Sequence, residues 1–145
     1  MAWAASIPAI PLLKTISGST ILLLLCIKFC TYIVMKSLTF VGSSLDDIKN
    51  FSETIRQRIG YQLHRIQQGD DPSDWKPMKS IGQGVKEIRV KVKDQFRVIY
   101  IASFSDKVYV LHAFKKKSQK TGKRDLDIAK SRLKAIQLNR GGDNG

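Results

Sequence analysis

Between Glu87 and Lys93, charged and β-branched residues alternate, so that an extended chain carries Glu87, Arg89, Lys91 and Lys93 on one side and Ile88, Val90 and Val92 on the other. Arg97 follows at a distance that lets the return strand of a hairpin place it beside this row. Neighbouring cations on one sheet face repel by about 0.2–1 kcal/mol per pair. A sequence shaped by stability alone would mix the signs, and a shared anion explains the row better than a merely solvated face. On this reading the row faces solvent, and loss of the exposed Arg97 costs little stability. A second cluster, Lys115-Lys116-Lys117-Ser118-Gln119-Lys120-Thr121-Gly122-Lys123-Arg124, leaves one ordered element and enters the next. Lysines held in this way can neutralise phosphates with less loss of side-chain freedom than a loose tail would suffer. The chemistry expected of the two clusters is the binding of a phosphodiester chain.

Other candidates are sparser. His112 precedes the lysines and can exchange protons near neutral pH, or it can simply pack at a sheet edge. His64 beside Arg65 reads as a surface residue, and Trp75 as a cover over a small core or a platform for a base. Gly82-Gln83-Gly84 is followed by no helix start, so it is not a phosphate-cradling loop. The sequence contains neither His-Glu-x-x-His nor a Cys/His set, and the expected chemistry uses no metal and no other cofactor.

Composition sets the frame for these residues. The chain has 145 residues, about one domain's worth, with 43% hydrophobic and 26% charged residues, which argues against wholesale disorder. It carries 25 Lys and Arg against 12 Asp and Glu, a net charge of +13. Residues 36–78 balance six cations against six acids, whereas residues 79–140 hold seventeen against five. The charge is therefore a patch, and it suits a polyanionic partner.

Residues 1–34 form a hydrophobic extension with both cysteines and no acid. Its longest uncharged runs, Met1–Leu13 and Thr15–Ile27, fall short of the roughly 18 apolar residues of a spanning helix. Three readings stand: upstream sequence translated in frame with Met35 as the true start, a membrane anchor, or a secretion signal. The last fits worst, because no basic residue precedes the first apolar stretch. Without the extension the chain has no cysteine, which suits a cytoplasmic location; a membrane anchor would act through residues 1–34.

Periodicity supplies the elements that must position the clusters. Lys36–Val41 reads as a strand, Ser44 to about Asn50 as a short helix, and Ser52–Gly69 as a helix with Ile55, Ile59, Leu63 and Ile66 on one face. Asp70–Asp74 reads as a loop. Val85–Lys93, Gln95–Ala102 and Lys107–Phe114 form an antiparallel meander through tight connections. Arg124–Leu138 closes as a helix, followed by a flexible tail over 139–145. The predicted order is β-α-α-β-β-β-α, an α+β domain over 35–138 with a small antiparallel sheet and helices packed on one face.

Taken together, Phe40-Val41-Gly42-Ser43-Ser44-Leu45, Gly60-Tyr61-Gln62-Leu63, Asp74-Trp75-Lys76-Pro77-Met78-Lys79, Glu87-Ile88-Arg89, Phe96-Arg97-Val98-Ile99-Tyr100 and the run Tyr109 to Thr121 resemble the phage-related, HigB-like branch of the RelE/ParE toxin superfamily. The resemblance spans roughly Met35 to Ile136, and residues 1–34 have no counterpart in it. It implies the toxin of a type II toxin–antitoxin pair, with a helix-turn-helix antitoxin encoded nearby. It further implies a metal-independent endoribonuclease that cuts messenger RNA on the ribosome by attack of a ribose 2′-OH on the adjacent phosphate. By position, Arg89 and Arg97 match cationic strand residues at the scissile phosphate, and Lys117 a phosphate-stabilising arginine. Lys79, Lys91, Lys93, Lys115, Lys116, Lys120 and Lys123 are the accompanying RNA-binding residues. The sequence departs from RelE in lacking a tyrosine after Lys117, so that His112 or a lysine must serve in proton transfer. Two other outcomes of the same fold are a ParE-like, non-enzymatic inhibitor of DNA gyrase and an inactive remnant that only binds its antitoxin.

If Met35 is the native start, residues 35–145 alone are soluble and as toxic on expression as the full chain. Loss of toxicity on removing residues 1–34, with the long form recovered in membranes, would instead support the anchor.

Overall fold

The computed structural model describes residues 35–142. The extension 1–34, with the three readings attached to it, and residues 143–145 lie outside the described residues. The elements run β1 (Ser37–Phe40), α1 (Ser44–Lys49), α2 (Glu53–Gln67), β2 (Trp75–Pro77), β3 (Val85–Lys91), β4 (Gln95–Ile101), β5 (Lys107–Lys116) and α3 (Lys123–Gly142). The five strands form one sheet in the order β1-β5-β4-β3-β2. β1 runs parallel to β5, and the other neighbours are antiparallel. Among the described residues no helix is long and apolar enough to cross a membrane.

The α+β class and the helix–meander–helix order agree with the sequence analysis, and four details differ. The sheet is mixed, because β1 enters beside β5 in parallel register. Trp75-Lys76-Pro77, which the sequence analysis placed in no element, is an edge strand paired with Lys86–Ile88. A three-residue strand ending in proline shows no alternation and is tolerated only at an edge. The indole of Trp75 is occupied by Lys86, whose Nζ lies 4.0 Å from the ring centre. The tail expected from residue 139 is helical to Gly142, and Arg140 there donates to the Tyr109 hydroxyl (3.0 Å) and pairs with Asp106 (3.3 Å).

The fourth difference governs the site: helices cover both faces of the sheet. On one face α1 and α2 pack Ile48, Ile55, Ile59, Leu63 and Ile66 against Ile88, Val90, Phe96, Val98, Tyr100, Val108 and Val110. On the other, α3 brings Ala129, Leu133 and Ile136 against Val85, Ile99, Ile101, Tyr109, Leu111 and Phe114, with Met78 and Ile81 beside them. The signal was present in β4, where Val98-Ile99-Tyr100-Ile101 is an unbroken apolar run, the pattern of a strand buried on both sides. The alternation of β3 argued for one solvated face and concealed it.

Two local devices set the geometry. α2 stops in a Schellman turn: the amide of Asp70 donates to Arg65 (3.0 Å), that of Gly69 donates to Ile66 (3.0 Å), and Gly69 takes a φ of 93° that a side chain would resist. In β5 a bulge leaves Leu111 without a partner, since Ile99 pairs with His112 but Tyr100 pairs with Val110. The bulge places His112 beside Ile99 on the α3 face. Beyond β1, the edge of β5 is met by α1 and α3. Ser44 Oγ donates to the Val110 carbonyl (3.0 Å), and Arg132 donates to the Leu111 carbonyl (2.7 Å).

The two-faced core predicts that Ile59→Ala and Leu133→Ala each destabilise the fold by about 2–5 kcal/mol. Urea denaturation checks it. A Leu133→Ala protein as stable as the wild type would mean that α3 is not seated on a core.

Candidate nucleic-acid interface

Of the residues predicted to form a solvent-facing row, Glu87 and Arg97 are buried, Arg89 is half-exposed, and Lys91 and Lys93 are exposed. Glu87 is 0% and Arg97 6% exposed. Arg97 Nε lies 3.3 Å from Glu87 Oε1, an ion-pair contact not aligned as a hydrogen bond. The rest of the guanidinium donates to Gln95 Oε1 (2.7 Å) and to the Phe96 carbonyl (3.0 Å). The expectation that Arg97 is an exposed cation is thus corrected. The charged positions of β3 and β4 that lie under α3 and the loop before it are neutralised inside the protein. Arg89 stands opposite Arg97 in the ladder, but its half-exposed side chain turns to Asp74, with Nη2 at 2.5 Å and Nε at 2.8 Å from Oδ1.

His112 is also buried, at 7% exposure. Its ring stacks on Phe114 with centroids 5.3 Å apart, Nε2 lies 3.0 Å from Asp125 Oδ1, and Nδ1 lies 3.4 Å from Asp47 Oδ2. Carboxylates, rather than the lysines that follow it in sequence, are its charged neighbours. A neutral imidazole has one donor and one acceptor, so only a ring carrying both protons can donate to both acids.

These buried groups hold the cationic loop between β5 and α3. Thr121 Oγ1 donates to Glu87 Oε2 (3.4 Å), Asp125 meets His112, and Ser118 Oγ donates to the Lys120 carbonyl (2.7 Å). The loop bounds a concavity of about 400 Å³ lined by Phe114, Lys115, Lys116, Lys117, Ser118, Lys120, Gly122 and Asp125. Lys93 joins Lys116 and Lys117 around an adjoining depression at the β3–β4 hairpin, and Lys79 stands with Lys120 and Thr121 around another. Lys115 reaches back to Asp94 at 2.6 Å.

The structure therefore brings together Lys79, Lys93, Lys115, Lys116, Lys117 and Lys120. Arg89 and Lys91 line a separate groove with Arg58 and Tyr61 of α2, and Lys123 lines a shallow surface along α3 with Asp127 and Arg132. Sequence reasoning missed Asp125, which it passed over inside the predicted helix Arg124–Leu138, although this carboxylate follows directly on the long run of cations. It also took Glu87 for a surface acid. Neither Tyr100 nor Tyr109 is free to stand in for the missing tyrosine. Burial, with the charge of Asp71 adding to it, pushes the Tyr100 phenol well above its usual pKa, and the Tyr109 hydroxyl accepts from Arg140.

Arg97→Ala leaves Glu87 buried without its counter-charge, and a loss of about 3–5 kcal/mol is expected. Replacing both partners, as Glu87→Leu with Arg97→Met, restores most of that loss because no unpaired charge remains. Urea midpoints of the three proteins test the pair.

No curated protein matches the chain. A family model does, over residues 46–134, which take in the sheet from β2 onward, the cationic loop and most of α3. Its description is "Phage derived protein Gp49-like (DUF891)". The chain belongs to this Gp49-like, phage-derived family, a toxin family of type II toxin–antitoxin systems related to RelE and HigB.

Proposed function

We propose that the chain is a metal-independent endoribonuclease toxin that cleaves messenger RNA on the ribosome, held in check by a helix-turn-helix antitoxin encoded nearby. The observation that carries this reading is the concavity ringed by Lys115, Lys116, Lys117 and Lys120, on a loop tied down at Thr121 and Asp125. Cleavage by the neighbouring 2′-OH gives a cyclic phosphate and a 5′-OH. It needs an aligned ribose, neutralisation of charge on the phosphorane, a proton acceptor and a proton donor. Ordered lysines supply the neutralisation, and Lys117 is the residue assigned to the scissile phosphate. Lys79 and Lys93 extend the track for flanking phosphates, while Arg89 and Lys91 serve RNA that reaches the α2 groove. Arg97 and His112, being buried, act by holding the loop in place. A gyrase inhibitor needs no such array, so the lysine ring favours the RNase.

On induction, translation should stop, and primer extension on a reporter messenger should show new ends within the coding region. Lys117→Ala should slow cleavage about 100-fold or more, the effect of removing one transition-state charge stabiliser, without changing the melting temperature. Filamentation and DNA-damage signalling over intact messages would point to gyrase, and neither phenotype to an inactive remnant.

A further inference from the structure

We propose that Asp125 is the group that accepts the 2′-hydroxyl proton, and that His112 positions it. The inference rests on the RNase reading above and adds to it the residue that starts the reaction. Asp125 is the one carboxylate lining the lysine concavity. Its two oxygens have different surroundings. Oδ1 faces His112 Nε2 at 3.0 Å, so that a ring protonated on Nε2 donates to it. Oδ2 takes no hydrogen bond or ion pair among the described residues, and it faces Gly122, where an added Cβ would lie 3.1 Å away. Glycine at that position keeps the approach to Oδ2 open. His112 is itself fixed, stacked on Phe114 and facing Asp47 through Nδ1, a buried nitrogen without a hydrogen bond. A buried ring between two acids serves one of them as an orienting partner, in the manner of a base held by a third group.

The step balances without a co-reactant. Oδ2 takes the proton from the ribose 2′-OH as the 2′-oxygen bonds to phosphorus. The bond from phosphorus to the 5′-oxygen breaks with its electron pair, and a lysine ammonium of the ring, Lys117 by its place, protonates the departing oxygen. The products are a 2′,3′-cyclic phosphate and a 5′-OH. The surrounding lysines keep the deprotonated carboxylate compatible with a polyanionic substrate.

The experiment compares full-length wild type with Asp125→Asn, Gly122→Ala, His112→Gln and His112→Ala on ribosome-bound messenger, with product ends identified chemically. Asp125→Asn preserves shape and the contact to His112 but accepts no proton. Its cleavage should fall about 100-fold or more, with melting unchanged and RNA binding equal or tighter. Gly122→Ala crowds Oδ2 while leaving every charged group in place, and a drop of about tenfold in kcat at unchanged KM is expected for a sub-ångström displacement. His112→Gln, which keeps an N–H for Oδ1, should retain more kcat than His112→Ala at equal KM. If wild type cleaves and a folded Asp125→Asn cleaves at its rate, the base is elsewhere and the inference is overturned, whatever Gly122→Ala does. If wild type itself makes no cyclic-phosphate ends, the RNase reading fails and takes this inference with it. Should Asp125→Asn not fold, Gly122→Ala decides alone.

Discussion

The Glu87–Arg97 pair lies between the sheet and the elements packed over it, and the rest of the site depends on the requirement that buried charge be compensated. Covering both faces of the sheet takes Glu87, Arg97 and His112 out of water at positions where the strands would otherwise carry apolar side chains. Each must find a partner inside the protein. Arg97 meets Glu87, Gln95 and a backbone carbonyl, Glu87 receives Thr121, and His112 lies between Asp47 and Asp125. The partners come from three separate parts of the chain, so satisfying these groups also determines how α1, the loop and α3 sit on the sheet.

The same requirement ties down a segment that would otherwise spread into solvent. A run such as Lys115–Arg124 repels itself and gains by spreading into solvent. Here its start is the end of β5, and its far end is tied to Glu87 through Thr121 and to His112 through Asp125. Between those points the lysines are left to face outward around one concavity.

Much of this was legible in the sequence. The α2 stripe of Ile55, Ile59, Leu63 and Ile66, the three-strand meander and the final helix follow from periodicity, because each depends on one face meeting one core. The lysine cluster could be located from charge alone, since its exposure needs no partner. β2 was not legible, because three residues with a proline show no period.

What the amino-acid sequence determined by itself was the α+β class, the main elements and the position of the cationic loop. All of these are set by local pattern and by side chains that remain in water. Only the tertiary structure decided that Glu87 and Arg97 are an internal pair, that a bulge at Leu111 places His112 on the α3 face, and that Asp125 stands inside the lysine ring. The physical reason is that a strand's alternation says which side chains share a face but not what covers that face. Whether a charge there is solvated or buried depends on elements tens of residues away.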